Sequence, residues 1–399
     1  MRRKRIYFPS IILIFIIGLS PMIFRQINLT HAGDMINSIL VTAQPGSIAC
    51  ASPPLKDKIS LSQLGEAVDI LQHIHQGSLF PQVNLLLGRA YCLLGNPGKA
   101  VQSYKDYLQV SSQKTITHLE LGFAYEQLCL LDGQPQAEYL ISPGSHICQD
   151  EKLRWDIASE WQQAALLQSD MIQLGNEAEN INNTEEALAW YYRAAIISPQ
   201  HTQPWFVLAQ LYQTMKDWSN AYSILQMGIH ENNQSQGLSN LYFQLGIIQQ
   251  FHLVPADPAA AKLAYHAALL IDDYSLAPWQ KASTYHNLGL LFAWKNQWLL
   301  AVNEYDKGLS LLPNDYWSLV DMSKALWHLG IKERAYKMIF HALEIDSNNY
   351  FSYIVLAQFS KDDKNLDRAR EYYEKALEIY PQSTEALNGL LGLSLQPQK

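Results

Sequence analysis

The fold is decided by the stretch DRAREYYEKALEIYPQ at residues 367–382. The stretch EEALAWYYRAAIISPQ at residues 185–200 follows the same pattern: an alanine, a tyrosine four positions later, a second alanine and a closing Pro-Gln. The spacing recurs every 34 residues, first at three alanines and then four positions after each of them: Ala301, Ala335 and Ala369, then Tyr305, Ile339 and Tyr373. A fixed period of this length indicates a protein built from repeated structural elements.

A second half-pattern precedes these stretches. It reads YHNLGLLFAW at residues 285–294 and WFVLAQLY at residues 205–212, with leucine, then glycine or alanine, then an aromatic residue. The segments VNLLLGRAY (83–91) and HLELGFAY (118–125) carry the same order. Because the two half-patterns occur in order and in phase, the chain resembles the tetratricopeptide repeat, a helix–turn–helix unit of 34 residues.

The resemblance implies an all-α fold, an α-solenoid in which stacked helix pairs form a right-handed superhelix over residues 59–394. A leading half-repeat at residues 61–74 and a capping helix at residues 384–393 flank the full repeats. In the second repeat, residues 151–167 are predicted to supply the second helix after an inserted loop. The eight predicted repeats begin near Pro81, Thr115, Gln168, Thr202, Ser239, Ala282, Tyr316 and Tyr350.

Each part of the pattern has a physical reason. Small residues in both helices let two backbones approach closely, and aromatic rings fill the space around that contact. Proline ends the second helix because it has no amide hydrogen for the helical ladder. A single helix pair cannot bury its apolar faces alone, so the next pair must cover them. The Tyr and Trp residues at motif positions are therefore predicted to be packing residues.

Residues 1–25 form a predicted targeting segment, either a membrane anchor or a signal peptide. Four of the first five residues are basic, and the apolar stretch at residues 6–24 has about the length that a helix needs to cross a bilayer. The positive-inside rule then predicts a single-pass membrane protein whose N-terminus is cytoplasmic and whose repeats are extracytoplasmic. The alternative is a cleaved leader and a secreted or periplasmic protein, since the densest apolar run, residues 11–19, has the length of a signal-peptide core.

Residues 26–58 are rich in small and polar residues, which predicts a flexible linker, and residues 395–399 form a short tail. The four cysteines, Cys50, Cys92, Cys129 and Cys148, match no zinc-binding spacing. We expect them to be small apolar residues of helices. A disulfide between Cys129 and Cys148 is the alternative in an oxidising compartment.

Several classes of function are excluded by composition and motifs. The net charge is −8, although the first 25 residues carry five basic residues and no acidic one, so the rest of the chain is strongly acidic. An acidic body is a poor match for phosphate backbones, and no nucleic-acid partner is predicted. The sequence contains no GxGxxG, GxxxxGK[ST], GxSxG or HExxH motif. We therefore predict no catalytic residue, no cofactor and no metal site, and a protein that is not an enzyme.

In the family that the chain resembles, the first helix of each repeat lines a partner-binding groove. The resemblance places positions 2, 5, 6, 9, 12 and 13 of a repeat on that groove. The predicted groove residues are Gln203, Phe206, Gln210, Gln213, Asn240, Phe243, Gln244, Gln250, His286, Asn287, Trp294, Trp317, Asp321, Lys324 and Trp327. The competing interpretation is that these are ordinary solvated or half-buried helix positions.

Amide side chains pair with peptide backbones or sugar hydroxyls, and aromatic side chains supply desolvated anchors. The leading hypothesis is a membrane-tethered extracytoplasmic scaffold that binds a protein or peptide in its groove. The alternative is an accessory subunit of a cell-envelope polysaccharide system that contacts the glycan itself. The predicted partners are thus a protein or peptide, the lipid bilayer through residues 6–24, and, in the alternative, a glycan.

Overall fold

A computed structural model describes residues 10–43, 48–51, 55, 57–74, 80–111, 114–131, 148, 150–232, 236–271 and 274–394, with the side chains of the first stretch described over residues 22–41. These residues form nineteen α-helices and one short 3₁₀ helix, and they contain no strand, so the all-α prediction is confirmed. The chain divides into two compact units, Met1–Met215 (unit 1) and Lys216–Lys399 (unit 2).

Unit 1 contains nine helices and the 3₁₀ turn Ala49–Ala51, and within it α1 packs on α2, α3 on α4, α5 on α6 and α7 on α8. Residues 151–167 were predicted to supply the second helix of the second repeat, and residues 151–163 form that helix, α6. The helices are α1 (Ser10–Ala43), α2 (Lys58–Ile74), α3 (Gln82–Leu93), α4 (Pro97–Val110), α5 (Thr115–Leu130), α6 (Glu151–Gln163), α7 (Gln168–Asn180), α8 (Thr184–Ile197) and α9 (Thr202–Thr214).

Unit 2 contains the remaining ten helices, and within it α11 packs on α12, α13 on α14, α15 on α16, α17 on α18, and α19 covers α18. Each pair also contacts the next through its second helix, as expected of stacked repeats. The helices are α10 (Trp218–Glu231), α11 (Leu238–Phe251), α12 (Pro258–Leu270), α13 (Pro278–Trp294), α14 (Trp298–Leu311), α15 (Tyr316–His328), α16 (Lys332–Ile345), α17 (Tyr350–Asp362), α18 (Leu366–Ile379) and α19 (Thr384–Ser394).

Local sequence explains where the second helices begin. Asn96 and Asp217 cap α4 and α10 by accepting a hydrogen bond from the backbone N–H three residues later. Such caps satisfy amides that have no partner inside the helix. The turn before α16 contains Gly330 with φ of 76°, a left-handed conformation that glycine adopts without steric cost.

The packing rule inferred from the sequence is visible inside several of the pairs. A Cβ placed on Gly246 of α11 would lie 2.5 Å from the Tyr265 ring of α12, and one on Gly88 of α3 would lie 2.6 Å from the Tyr104 ring of α4. Both tyrosines are fully buried. The small residue is therefore required because the aromatic ring of the partner helix rests directly on its backbone.

The predicted linker at residues 26–58 is wrong for its first part. Residues 26–43 are helical, and α1 packs against α2 and α3 through Leu29, Ala32, Ile36 and Ile39, all of which are buried. These four residues follow the three- and four-residue spacing of a helical stripe, hidden among small and polar neighbours. The predicted half-repeat α2 thus has a partner helix.

All four cysteines are paired, which corrects the expectation that they are free helical residues. Cys50 of the 3₁₀ turn bonds to Cys92 of α3, and Cys129 of α5 bonds to Cys148. The Cα–Cα distances of 4.8 and 5.3 Å lie in the range that disulfides span. The second bond is the one that the sequence offered as an alternative.

Candidate partner-binding face

The candidate site lies on the first helices of the repeats in unit 2, which are α11, α13, α15 and α17. We call the exposed and half-buried side chains of these four helices the first-helix face. Side chains join neighbouring members of this set: His286 Nε2 of α13 lies 3.0 Å from Asp321 of α15, and Trp327 Nε1 of α15 donates to Asp362 of α17 over 2.9 Å. The four helices therefore present a connected surface.

Three tryptophans on this face are more than half exposed. Trp279, Trp294 and Trp317 have exposed fractions of 56%, 53% and 51%, whereas Trp161 and Trp205 elsewhere in the chain are buried. Each exposed ring contacts an aromatic residue of its own or a neighbouring first helix, and Trp317 contacts two, because Tyr316 lies 5.0 Å from it in addition to Phe351. The centroid distances are 6.4 Å from Phe243 to Trp279, 6.1 Å from Phe251 to Trp294 and 6.0 Å from Trp317 to Phe351.

A charged group occupies the middle of the face. Asp321 is bonded on one side to His286 and on the other to Lys324, whose Nζ lies 2.6 Å away. Burial by itself would raise the pKa of Asp321, but the hydrogen bonds from His286 and Lys324 lower that pKa below its ordinary value of 3.8. The carboxylate is therefore ionised at neutral pH.

A cavity of about 430 Å³ opens between α13, α15 and α17. Its lining residues come from α13, α14, α15 and α17, so no one repeat builds it. The aromatic and imidazole rings are Trp294, Trp298, Trp327, His328 and Phe359, and the polar groups are Tyr305, Asp321, Lys324, Gln358 and Asp362. Trp298 stacks on His328 at 4.1 Å and Trp327 stacks on Phe359 at 4.1 Å, which fixes these four rings.

Three predicted groove residues belong to the core instead. Phe243 and Gln250 are 3% and 2% exposed, and Asn287 is 9% exposed. Gln250 accepts a hydrogen bond from the Tyr265 hydroxyl, and Asn287 donates one to the same oxygen. Because these amides face the tyrosine of the second helix, a partner on the first-helix face does not reach them.

The other predicted residues of unit 2 reach the surface. Asn240 is half-buried, but its amide is engaged with the backbone carbonyl of Ser275 and with Gln280, which links α11 to the start of α13. The structure brings the seven remaining residues onto the first-helix face: Gln244, His286, Trp294, Trp317, Asp321, Lys324 and Trp327.

The four predicted residues of α9 lie in unit 1. Gln203 and Gln210 are exposed, and Phe206 and Gln213 are half-buried. Their role in partner binding stays a prediction.

Sequence reasoning missed several members of the face. Phe351, Gln358 and Asp362 occupy positions 2, 9 and 13 of the eighth repeat. These are among the positions that the resemblance assigns to the groove, so the same assignment extended to the eighth repeat identifies all three. Trp279 lies on the N-terminal extension of α13, which begins four residues before the predicted start of its repeat, and the repeat pattern has no position for it.

Within the described part of the chain, no group of three or more His, Cys, Asp or Glu side chains is placed to hold a metal ion. Over the same part, no helix is both long and apolar enough to cross a bilayer. The predicted span at residues 6–24 lies almost wholly outside the residues whose side chains the structure describes.

Comparison with known proteins agrees with the helix pairing. Residues 352–383, which cover most of α17 and all but the first two residues of the eighth repeat, match the family model described as Tetratricopeptide repeat. These residues are thus similar to a tetratricopeptide repeat, and the helix pairs in the described part of the chain stack as repeats of this kind do. No curated protein sequence matches the chain.

Solved structures of low similarity accompany this match. PilF of Pseudomonas aeruginosa is 19% identical, with coverage of 56% of this chain and 97% of that one and a TM-score of 0.47. PilW, described as a widely conserved type IV pilus biogenesis factor, is 19% identical, with coverage of 56% and 98% and a TM-score of 0.46. YrrB, described as a TPR protein with an unusual peptide-binding site, is 17% identical, with coverage of 50% and 96% and a TM-score of 0.41. Likeness at this level assigns no partner.

Proposed function

We propose that the protein is a scaffold that holds a protein or peptide partner on the first-helix face of unit 2. Tetratricopeptide repeat proteins generally mediate protein–protein interaction and are generally not enzymes. The observation that carries the proposal is the exposure of Trp279, Trp294 and Trp317 on the first helices. Tryptophan is enriched among the residues that supply most of the free energy of protein binding.

The composition of the face fits a polypeptide. Exposed aromatic rings supply anchors that a partner can desolvate, while Gln244, Gln358 and Asp362 supply amide and carboxylate groups for hydrogen bonds to a peptide backbone. The predicted glycan contact has no observation in its favour that a peptide does not share. A glycan is therefore an outcome of the test and not a second proposal.

We further propose that residues 6–24 tether the protein to a membrane and that the repeats lie outside the cytoplasm. The supporting observations are the apolar sequence of that stretch behind a basic tip and the pairing of all four cysteines, since disulfides persist in oxidising compartments. Alkaline washing of membranes followed by intact mass measurement tests the tether. Recovery of a shortened protein in the wash would contradict an uncleaved anchor.

The binding proposal is tested with the full-length chain in detergent. Peptides selected from a random display library on the immobilised protein are measured by calorimetry against the wild type and against Trp317→Ala. A contact tryptophan is worth about 2 kcal/mol, so affinity should fall by roughly 30-fold. The matched control is Trp155→Ala, because Trp155 is 70% exposed on α6 of unit 1 and lies outside the face.

Trp155→Ala should leave the affinity unchanged. Equal losses in the two variants, or the selection of no peptide at all, would contradict the scaffold proposal. Binding of oligosaccharides but of no polypeptide would replace it with the glycan hypothesis.

A further inference from the structure

The first, third and fifth repeats provide a partner for a buried tyrosine hydroxyl in the same way. The tyrosine of the second helix rests on a glycine of the first helix, and the residue four positions after that glycine reaches its hydroxyl. Glu179 accepts from Tyr191 over 2.8 Å and Gln250 accepts from Tyr265 over 2.8 Å, while the disulfide sulfur of Cys92, a weak acceptor, lies 3.7 Å from the Tyr104 oxygen. A polar side chain in this position keeps the hydroxyl from being buried without a partner.

The sixth repeat breaks the rule. The residue four positions after Gly289 is Ala293, which has no polar atom in its side chain. Tyr305 is fully buried and its hydroxyl has no hydrogen-bond partner among the described residues. Ala293 and Tyr305 both line the 430 Å³ cavity, which we call the Ala293 pocket. A buried hydroxyl without a partner is costly, and because Tyr305 lines an open cavity, the unpartnered group points to a ligand that completes it.

The residue that the next first helix contributes beside this tyrosine also differs between the fifth and the sixth repeat. In the fifth repeat the Tyr265 hydroxyl also accepts from Asn287 of the next first helix. The residue 34 positions later is Asp321, which is already held by His286 and Lys324. The pocket therefore has an alanine and a carboxylate in place of two amides, which removes both amide donors, keeps two acceptor oxygens and adds a negative charge.

The polar groups of the Ala293 pocket are mainly acceptors. Asp321 and Asp362 carry two negative charges against the single positive charge of Lys324. A carboxylate offers about four acceptor positions, and Asp362 accepts from Trp327 through only one of its two oxygens in the described structure. The exposed ring of Trp294 stands beside these groups.

We propose that the Ala293 pocket binds the side chain of an arginine of the partner polypeptide. A guanidinium is planar, stacks on tryptophan and carries five donors, so it matches the acceptors Tyr305, Gln358 and Asp362 together with the Trp294 ring. A lysine ammonium has the same charge but is not planar, so it cannot stack on the Trp294 ring as a guanidinium does. A neutral sugar would leave the negative charge of the pocket without a counter-charge. This inference rests on the proposed scaffold function and names the residue that the scaffold selects.

The test fills the pocket with the side chain that the preceding repeat already uses. Ala293→Gln places an amide where Gln250 stands in the fifth repeat, so it should satisfy Tyr305 and occupy the cavity. The matched control is Gln250→Ala, which removes the same amide from the buried site at Tyr265. The probe is the capped peptide Gly-Gly-Arg-Gly-Gly, compared with its lysine and citrulline versions and with N-acetylglucosamine, by tryptophan fluorescence and calorimetry on the full-length chain.

The arginine peptide should bind with a dissociation constant on the order of millimolar, and the citrulline and lysine peptides should bind about tenfold more weakly. Ala293→Gln should weaken arginine binding by about tenfold or more while the melting temperature stays the same or rises. Gln250→Ala should lower the melting temperature and leave arginine binding unchanged. If Ala293→Gln does not fold, Asp362→Asn at the exposed rim should give the same loss of binding.

The proposal is overturned if Ala293→Gln binds the arginine peptide as well as the wild type, if the three peptides bind equally, or if only the sugar binds. The two proposals fail in different ways. Library peptides that bind the first-helix face without any preference for arginine would reject the pocket and keep the scaffold. The absence of any peptide binding would reject both.

Discussion

Gly246→Ala tests the close contact on which every helix pair depends. The added Cβ would lie 2.5 and 2.6 Å from two carbon atoms of the Tyr265 ring, well inside van der Waals contact. The ring cannot move aside freely, because it is buried and its hydroxyl is bonded to Gln250. Overpacking a core costs about 1–3 kcal/mol, and a lost hydrogen bond about 1 kcal/mol. Alanine recovers about 1 kcal/mol of helix propensity.

We therefore expect Gly246→Ala to lower the free energy of unfolding by about 1–3 kcal/mol, because the lost hydrogen bond and the gained helix propensity offset each other. The control is Gly65→Ala in the middle of α2, where no atom lies within 4 Å of the added Cβ and the same substitution should stabilise by about 1 kcal/mol. Urea unfolding of the full-length chain, followed by circular dichroism, measures both. A Gly246→Ala protein that gains as much stability as Gly65→Ala would refute the packing argument.

Three further changes have expected outcomes. Glu126→Gln should cost about 3–5 kcal/mol in urea unfolding, because Glu126 and Arg193 form a buried ion pair at 3.0 Å and the substitution leaves the guanidinium charge unpaired. Replacing both Cys129 and Cys148 by alanine opens a loop of 19 residues and should lower the free energy of unfolding by about 3 kcal/mol. Because the variant lacks this disulfide, a reducing agent should destabilise it less than it destabilises the wild type. The pKa of Asp321 is lower in the folded than in the unfolded protein, so its ionised carboxylate stabilises the fold above the unfolded pKa. That stabilisation is lost as the pH falls through the folded pKa. Asp321→Asn should therefore make the free energy of unfolding less dependent on pH below about pH 4.

The helix pairs were predictable because their requirement is local and repeated. A glycine or alanine must stand under an aromatic ring, and the 34-residue period shows that requirement several times, so α5, α7, α9, α15 and α17 begin at the predicted residues. The segment at residues 26–43 was missed because its four buried residues stand among polar ones and match no repeat. Only their packing on α2 reveals them.

The site was predictable in position but not in detail. The repeat pattern assigns Gln250 and Asn287 to positions that face a partner. In the structure both side chains instead bond to the Tyr265 hydroxyl between the two helices, and the repeat pattern does not contain this orientation. The signal for the Ala293 pocket is the absence of a polar residue that other repeats possess. An absence of this kind has meaning only after the structure shows what Gln250 does.

Hydrogen exchange of the full-length chain with and without a library-selected peptide tests the central claim most directly. The account predicts that the peptide slows amide exchange in α11, α13, α15 and α17, with the largest change near Trp294 and Trp317. It predicts no change in the second helices α12 and α16, which supply no residue to the Ala293 pocket. Protection confined to those second helices, or to unit 1, would contradict a partner-binding site on the first-helix face.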